Sequence, residues 1–150
     1  VAENEIERTL LLKDDLLFVE GNGSKEQIGR VAIWDGSIPN CLHQNHIIKG
    51  RPYGSMLSEF AMLYLISRDG RNQIVDIAKS TSGLYTLSTN KVKNLLVPVC
   101  DLDEQRNILE MIESRLPVCD NIETTIDTAL QQAEVLRQSI LKQAFEGKLI

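Results

Sequence analysis

Apolar residues recur along this chain in two rhythms, a short strand-like one and a long helical one. The long rhythm occupies residues 101–150, where Ile108, Leu109, Ile112 and Leu116 keep helical spacing. Asp101-Leu102-Asp103-Glu104 sets a capping carboxylate three residues ahead of Glu104, close to a capping box. Pro117 interrupts, and suits the first turn of a new helix better than the interior of an old one. Beyond it come Cys119, Ile122, Ile126, Ala129, Ala133, Leu136 and Ile140. After the first step of three, their spacing alternates four and three, the heptad seam of a coiled coil. Lys142 falls in the last turn and Gly147 is a natural stop, so the spacing predicts a helix from Val118 to Glu146, about 43 Å long. A lone helix cannot bury such a seam, and the pattern fits either a coiled-coil partner or a long helix packed on its own domain.

The first hundred residues follow the shorter rhythm and predict a mixed α and β domain. Leu16-Leu17-Phe18-Val19 is an apolar run ended by the turn-forming Gly21-Asn22-Gly23-Ser24, and Ile28 to Trp34 reads as the returning strand before Asp35-Gly36. Gln44 to Arg51 predicts a third strand ahead of Pro52. Ser55 to Ile66 has helical spacing through Leu57, Phe60, Ala61, Tyr64 and Leu65, and a second short helix is expected from Arg71 to Ala78. Ser80-Thr81-Ser82-Gly83 is a polar loop, and Leu95 to Val99 reads as a short strand leading into the long helix. The fold class expected is therefore α+β, a small mixed domain over residues 1–100 followed by a coiled-coil helix over residues 101–150.

Composition changes this picture little, with 43% hydrophobic and 25% charged residues, as in ordinary globular chains. Apolar runs are too short to span a bilayer and no signal peptide opens the chain, so a cytoplasmic protein without membrane association is expected. The missing initiator Met hints at a fragment or a processed chain. Cys41, Cys100 and Cys119 are few, odd in number and far apart, which fits reduced thiols. With His43 and His46 the only histidines, neither a metal nor a cofactor is expected.

Charge is more informative in its distribution. Residues 1–100 carry 11 Lys+Arg and 11 Asp+Glu, whereas residues 101–150 carry 5 and 10, so the entire net −5 belongs to the helical segment. The preceding domain is free to present a basic face.

Catalytic chemistry finds little support. His43 and His46 have no nucleophile motif nearby, and a strand or contact histidine is the better reading. Asp14, Asp15 and Glu20 suggest the carboxylates of a nuclease, but Gly21-Asn22 follows Glu20 where a lysine would be needed, and solvated acids beside turns account for them. Gly21-Asn22-Gly23-Ser24-Lys25 lacks Walker spacing. It does gather N–H groups, Asn, Ser and Lys on a hairpin tip, which suits phosphate or base-edge contact and equally suits a plain turn. Ser80-Thr81-Ser82-Gly83-Leu84-Tyr85, between Lys79 and Lys91, is a second hydroxyl-rich loop open to the same two readings. Trp34 reads as a core residue.

Taken in order, these segments resemble the specificity subunit of type I restriction–modification systems, in its C-terminal target recognition domain and the conserved helix that follows. The resemblance rests on Asp15 to Ser24 followed by Ile28-Gly29-Arg30-Val31-Ala32, on Gln44-Asn45-His46-Ile47-Ile48 with Arg51-Pro52, and on Ser80 to Gly83. Its strongest part is Val97-Pro98-Val99 running into Leu102-Asp103-Glu104-Gln105-Arg106, with the closing run Leu136 to Leu149. A whole subunit of the family carries two recognition domains and two helical regions, and this chain holds one of each, the domain being short at its N-terminus.

The resemblance implies a non-catalytic DNA reader whose helices pair antiparallel as a ruler, while methyltransferase and motor-nuclease subunits supply the catalysis. A half-sized chain is then expected to form a homodimer through Ile122, Ile126, Ala129, Ala133, Leu136 and Ile140, and to read a symmetric double-stranded DNA target. Expected DNA contacts are Asn22, Ser24 and Lys25 of the hairpin, Gln44 and His46, and Lys79, Ser80, Thr81 and Tyr85 of the second loop. The competing readings are a coiled-coil dimer whose head binds protein rather than DNA, and a small nuclease.

Overall fold

The computed structural model describes residues 3–79 and 83–149. The chain divides into two units, Val1–Ile108 and Leu109–Ile150, and the fold class is α+β. Helix α1 (Glu3–Thr9) precedes β1 (Leu16–Val19), β2 (Gly21–Asn22), β3 (Val31–Ile33) and β4 (Ile47–Gly50). Helices α2 (Ser58–Ile66) and α3 (Arg68–Ala78), strand β5 (Tyr85–Thr86) and helix α4 (Thr89–Lys93) lead to the last helix, α5 (Leu102–Phe145).

The apolar run at Leu16–Val19 becomes the central strand of an antiparallel sheet ordered β3-β1-β4. Its register sets Leu16 opposite Ile33 and Gly50, and Phe18 opposite Val31 and Ile48. Strand alternation turns Leu16 and Phe18 to one face, where they join Ile28, Ile48, Ala61, Leu65, Ile74, Ala78 and Leu87 in the buried core. A second, two-stranded sheet pairs Gly21 with Thr86 and Asn22 with Tyr85.

Two glycines let α3 close on this core. Gly29 takes φ +59, and a Cβ there would meet Ile74 Cγ2 at 2.4 Å. A Cβ on Gly70 would lie 2.2 Å from the Tyr64 carbonyl oxygen, so only glycine lets the start of α3 pass so close to the end of α2. Ser67 caps α3, its hydroxyl accepting from the Gly70 N–H at 3.4 Å, which is why the helix starts at Arg68, ahead of the expected Arg71.

Three expectations need correction. The returning strand is shorter than Ile28 to Trp34, because the Gln27 and Ile28 N–H groups donate to Ser24 O and the chain is still in its turn there. Residues 95–99 join no strand. The Gln73 side chain accepts from the Leu96 N–H and donates to Leu96 O, both at 3.0 Å, doing with one amide what a neighbouring strand would do; Pro98 has no N–H to offer a ladder. Pro117 opens no new helix but lies inside α5. Its ring removes one i→i−4 hydrogen bond, and the helical bonds on both sides carry the helix through.

The start of α5 is fixed within the first unit by Gln105, whose side chain is fully buried. Its Oε1 accepts from Leu57 N–H at 2.9 Å, and its Nε2 donates to Ser55 O at 2.6 Å and Cys100 O at 2.8 Å. Asp101 caps the helix as its spacing predicts, Oδ1 accepting from Glu104 N–H at 2.8 Å. At the far end Gly147 adopts φ +67 and Lys148 N–H donates to Gln143 O, a Schellman-type stop.

Candidate nucleic-acid interface

Glu20 is the junction on which the predicted contact segments meet. Its N–H donates to His46 O at 3.0 Å, and its carbonyl accepts from Leu87 N–H at 2.7 Å. The next residues form β2, where Asn22 pairs with Tyr85. Hairpin residues, the approach to β4 and the segment after the second loop are thereby drawn together, although 46 and 85 are far apart in sequence.

The turn beyond β2 closes on its own polar groups. Asn22 Oδ1 accepts from Ser24 N–H at 2.9 Å, an Asx turn. The Ser24 hydroxyl donates to the Glu26 carboxylate and accepts from Glu26 N–H at 3.2 Å. Those contacts hold the Glu26 carboxyl below its ordinary range, the Ser24 hydroxyl first among the causes. Lys25 projects outward with 65% of its side chain exposed, its Nζ 3.9 Å from Glu26.

Arg71, in the first turns of α3, reaches this turn from behind. Its Nη2 donates to Lys25 O at 3.1 Å and to Glu26 O at 3.3 Å. Its Nη1 is enclosed without an acceptor among the described residues. Burial and then the neighbouring Arg30 lower the pKa of its guanidinium. Arg71 was not among the expected contacts, and its only signal was a cation next to Gly70 at the start of a short helical pattern.

The other expected contacts are placed as follows. His46 is 85% exposed on its side chain, with Nδ1 3.9 Å from the Glu20 carboxylate, and Gln44 is exposed two residues before it. Lys79 pairs with Asp76 at 2.6 Å, which raises its pKa. The half-buried Tyr85 ring packs against the core. Ser80 and Thr81 lie outside the described residues.

Asp15 corrects an expectation outright. It is fully buried instead of solvated, and its two carboxylate oxygens accept from Arg51 Nε at 2.6 Å and Nη2 at 2.7 Å, with Leu12 N–H at 2.8 Å as a third donor. Burial pushes the carboxyl up, but the Arg51 and Leu12 hydrogen bonds outweigh it, and Asp15 titrates below its ordinary value. The register explains the pair: Leu16 lies opposite Gly50, so Asp15 and Arg51 are the next cross-strand neighbours. Asp15 therefore ties the ends of β1 and β4 and is not available as a metal ligand. Among the described residues no three His, Cys, Asp or Glu side chains converge to hold a metal.

In the second unit the seam is laid open. Ile122, Ile126, Leu136 and Ile140 are 45–61% exposed, and Cys119, Ala129 and Ala133 are exposed with them. Among the described residues no helix is long and apolar enough to cross a membrane.

The first unit is thus an α+β domain that gathers polar turn residues, and the second a helix with an exposed heptad stripe. No family model matches the chain, but curated relatives do. It is 32% identical over 149 residues to the EcoKI type I restriction enzyme specificity subunit of Escherichia coli K12, covering 99% of this chain and 32% of that protein. It is 28% identical over 142 residues to the StySPI specificity subunit of Salmonella potsdam, covering 93% of this chain and 30% of that protein. With the EcoBI specificity subunit of Escherichia coli it shares 31% over 97 residues, 65% of this chain and 20% of that protein. The chain is thus a relative of type I restriction enzyme specificity subunits, and spans about a third of the length of the first two.

Proposed function

We propose that this chain is a DNA-sequence-recognition component of a type I restriction–modification assembly, a half-subunit that reads one half of a bipartite target. It has no catalytic role of its own; methyltransferase and motor-nuclease subunits dock on it and supply the chemistry. The observation that carries this reading is that the match to specificity subunits runs through both the α+β unit and the helix, 99% of the chain. The main-chain junction of β2, β5 and the approach to β4 at Glu20, beside which Asn22, Ser24, Lys25 and His46 lie, supports a reading surface built from discontinuous segments. Residues 1–100 act as the recognition domain and residues 101–150 as the helical region.

The stripe on α5 supports pairing with a second copy, antiparallel and two-fold symmetric. The seam on that helix, from Cys119 to Ile140, is about 33 Å long, on the order of one turn of DNA at about 34–36 Å, so pairing along it sets the unread spacer between half-sites. Leu130 and Leu141 are also exposed and, at about 100° per residue, fall beside the seam on one flank. A two-stranded seam leaves that flank apolar, which supports the docking of further subunits.

Titration of a mixed-sequence duplex across a salt series tests the DNA-reading part. Affinity should fall steeply as salt rises; no measurable binding at low salt refutes it in favour of a protein-binding head. The pairing is tested by sedimentation of Ile126→Asp or Ala133→Glu, either of which should give monomers. A dimer that survives both substitutions rules out the seam.

A further inference from the structure

We infer that Arg71 is the positioning residue of the recognition turn, the group that sets where Ser24 and Lys25 meet DNA without meeting DNA itself. The inference rests on the DNA-reading role proposed above.

Arg71 stands on a rigid support. Ile74 and Ala78, one and two turns further along α3, are fully buried, and Gly70 beside it abuts the main chain at Tyr64 and Leu65. From that base Nη2 reaches the carbonyls of Lys25 and Glu26, the two residues at the outer bend of the turn. A trans peptide directs its N–H opposite to its C=O, so drawing these carbonyls inward turns the N–H groups of Glu26 and Gln27 back toward Ser24, where both donate. Ser24 and the main chain from which the Lys25 side chain projects are thereby fixed.

Closing a turn does not require a guanidinium. This one is partly desolvated, repelled by Arg30 and left with an enclosed Nη1 that has no acceptor among the described residues, a combination that calls for a reason beyond turn closure. Nor can the enclosed Nη1 reach a phosphate, which leaves Lys25 and Arg30 as the exposed cations beside the turn. Functional side chains held only by a mobile loop lose precision, and a support on a buried helix restores it.

A double-mutant cycle tests the assignment on the full chain, with a mixed-sequence duplex as probe. At 0.1 M salt one phosphate contact contributes about eightfold in affinity, so Lys25→Ala should lose about that much. Arg71→Gln should lose a similar factor, and the double variant should lose no more than Lys25→Ala alone. Independent losses, which would multiply to about sixtyfold, or a loss under about twofold for Arg71→Gln, overturn the inference. Hydrogen exchange supplies a readout without DNA: the Gln27 and Ile28 amides should exchange faster in Arg71→Gln, and unchanged rates overturn the tether. Arg71→Lys, which keeps the charge but not the fork, carries the cycle if Arg71→Gln does not fold. Should the wild-type chain show no salt-dependent binding, the DNA-reading role falls and this role with it, even where exchange still reports the tether.

Discussion

Asp15→Asn isolates the buried ion pair with the smallest change of shape. Removing one member of a fully buried pair costs about 3–5 kcal/mol, because the other charge is left uncompensated. Here Asp15 is fully buried but the Arg51 side chain is 46% exposed, so water recovers part of the arginine's loss. Asparagine also keeps an acceptor for Leu12 N–H. The expected destabilisation is therefore about 2–3 kcal/mol, or a fall of about 10–20 °C in Tm for a unit of this size. Trp34, the only tryptophan, lies beside the site, its main-chain N–H donating to the Asp15 main-chain carbonyl at 2.8 Å. Urea unfolding followed by its fluorescence gives the difference at pH 7. The effect has a sign in pH: the folded carboxyl titrates below its ordinary value, so its stabilisation is complete above about pH 4 and is lost as pH falls through the lower folded value. Wild type and variant should therefore converge in acid. A difference within about 0.5 kcal/mol at pH 7, the range of an ordinary surface substitution, would refute the reasoning, as would a gap that widens on acidification.

Gln105→Ala removes three hydrogen bonds at once and leaves Leu57 N–H, Ser55 O and Cys100 O to find water. It should cost about 2–4 kcal/mol in the same urea assay. Gly70→Ala forces a Cβ against main chain 2.2 Å away, and because backbone cannot step aside, the loss should exceed about 2 kcal/mol, read as a lowered Tm. Pro117→Ala restores a helical hydrogen bond and should stabilise α5 by up to about 3 kcal/mol, visible as a higher midpoint of helix loss by circular dichroism.

The elements that could be read from the sequence were those whose pattern is local. Leu16–Val19, Ser58–Ile66 and the long helix each advertise their own period, and Asp101 and Gly147 mark ends through bonds made within a few residues. What could not be read depends on partners far along the chain. Asp15 looks like a solvated acid until Arg51, 36 residues on, is brought opposite it by the sheet register. Leu95–Val99 looks like a strand until Gln73 takes both hydrogen bonds of Leu96. The candidate site divides in the same way. The polar turn at Gly21–Lys25 announces itself, whereas its junction at Glu20 and its support from Arg71 exist only once α3 and β5 have packed.

Three long polar side chains, Arg71, Gln73 and Gln105, hold loops by one means: each grips main-chain atoms. Every residue type carries a carbonyl, so a grip of this kind is indifferent to what the gripped loop spells. Positions 25 and 26 can exchange their side chains while Arg71 holds the same two oxygens. A chain built this way can acquire a new surface chemistry by drift in a few exposed residues, with its core and fastenings left as they are.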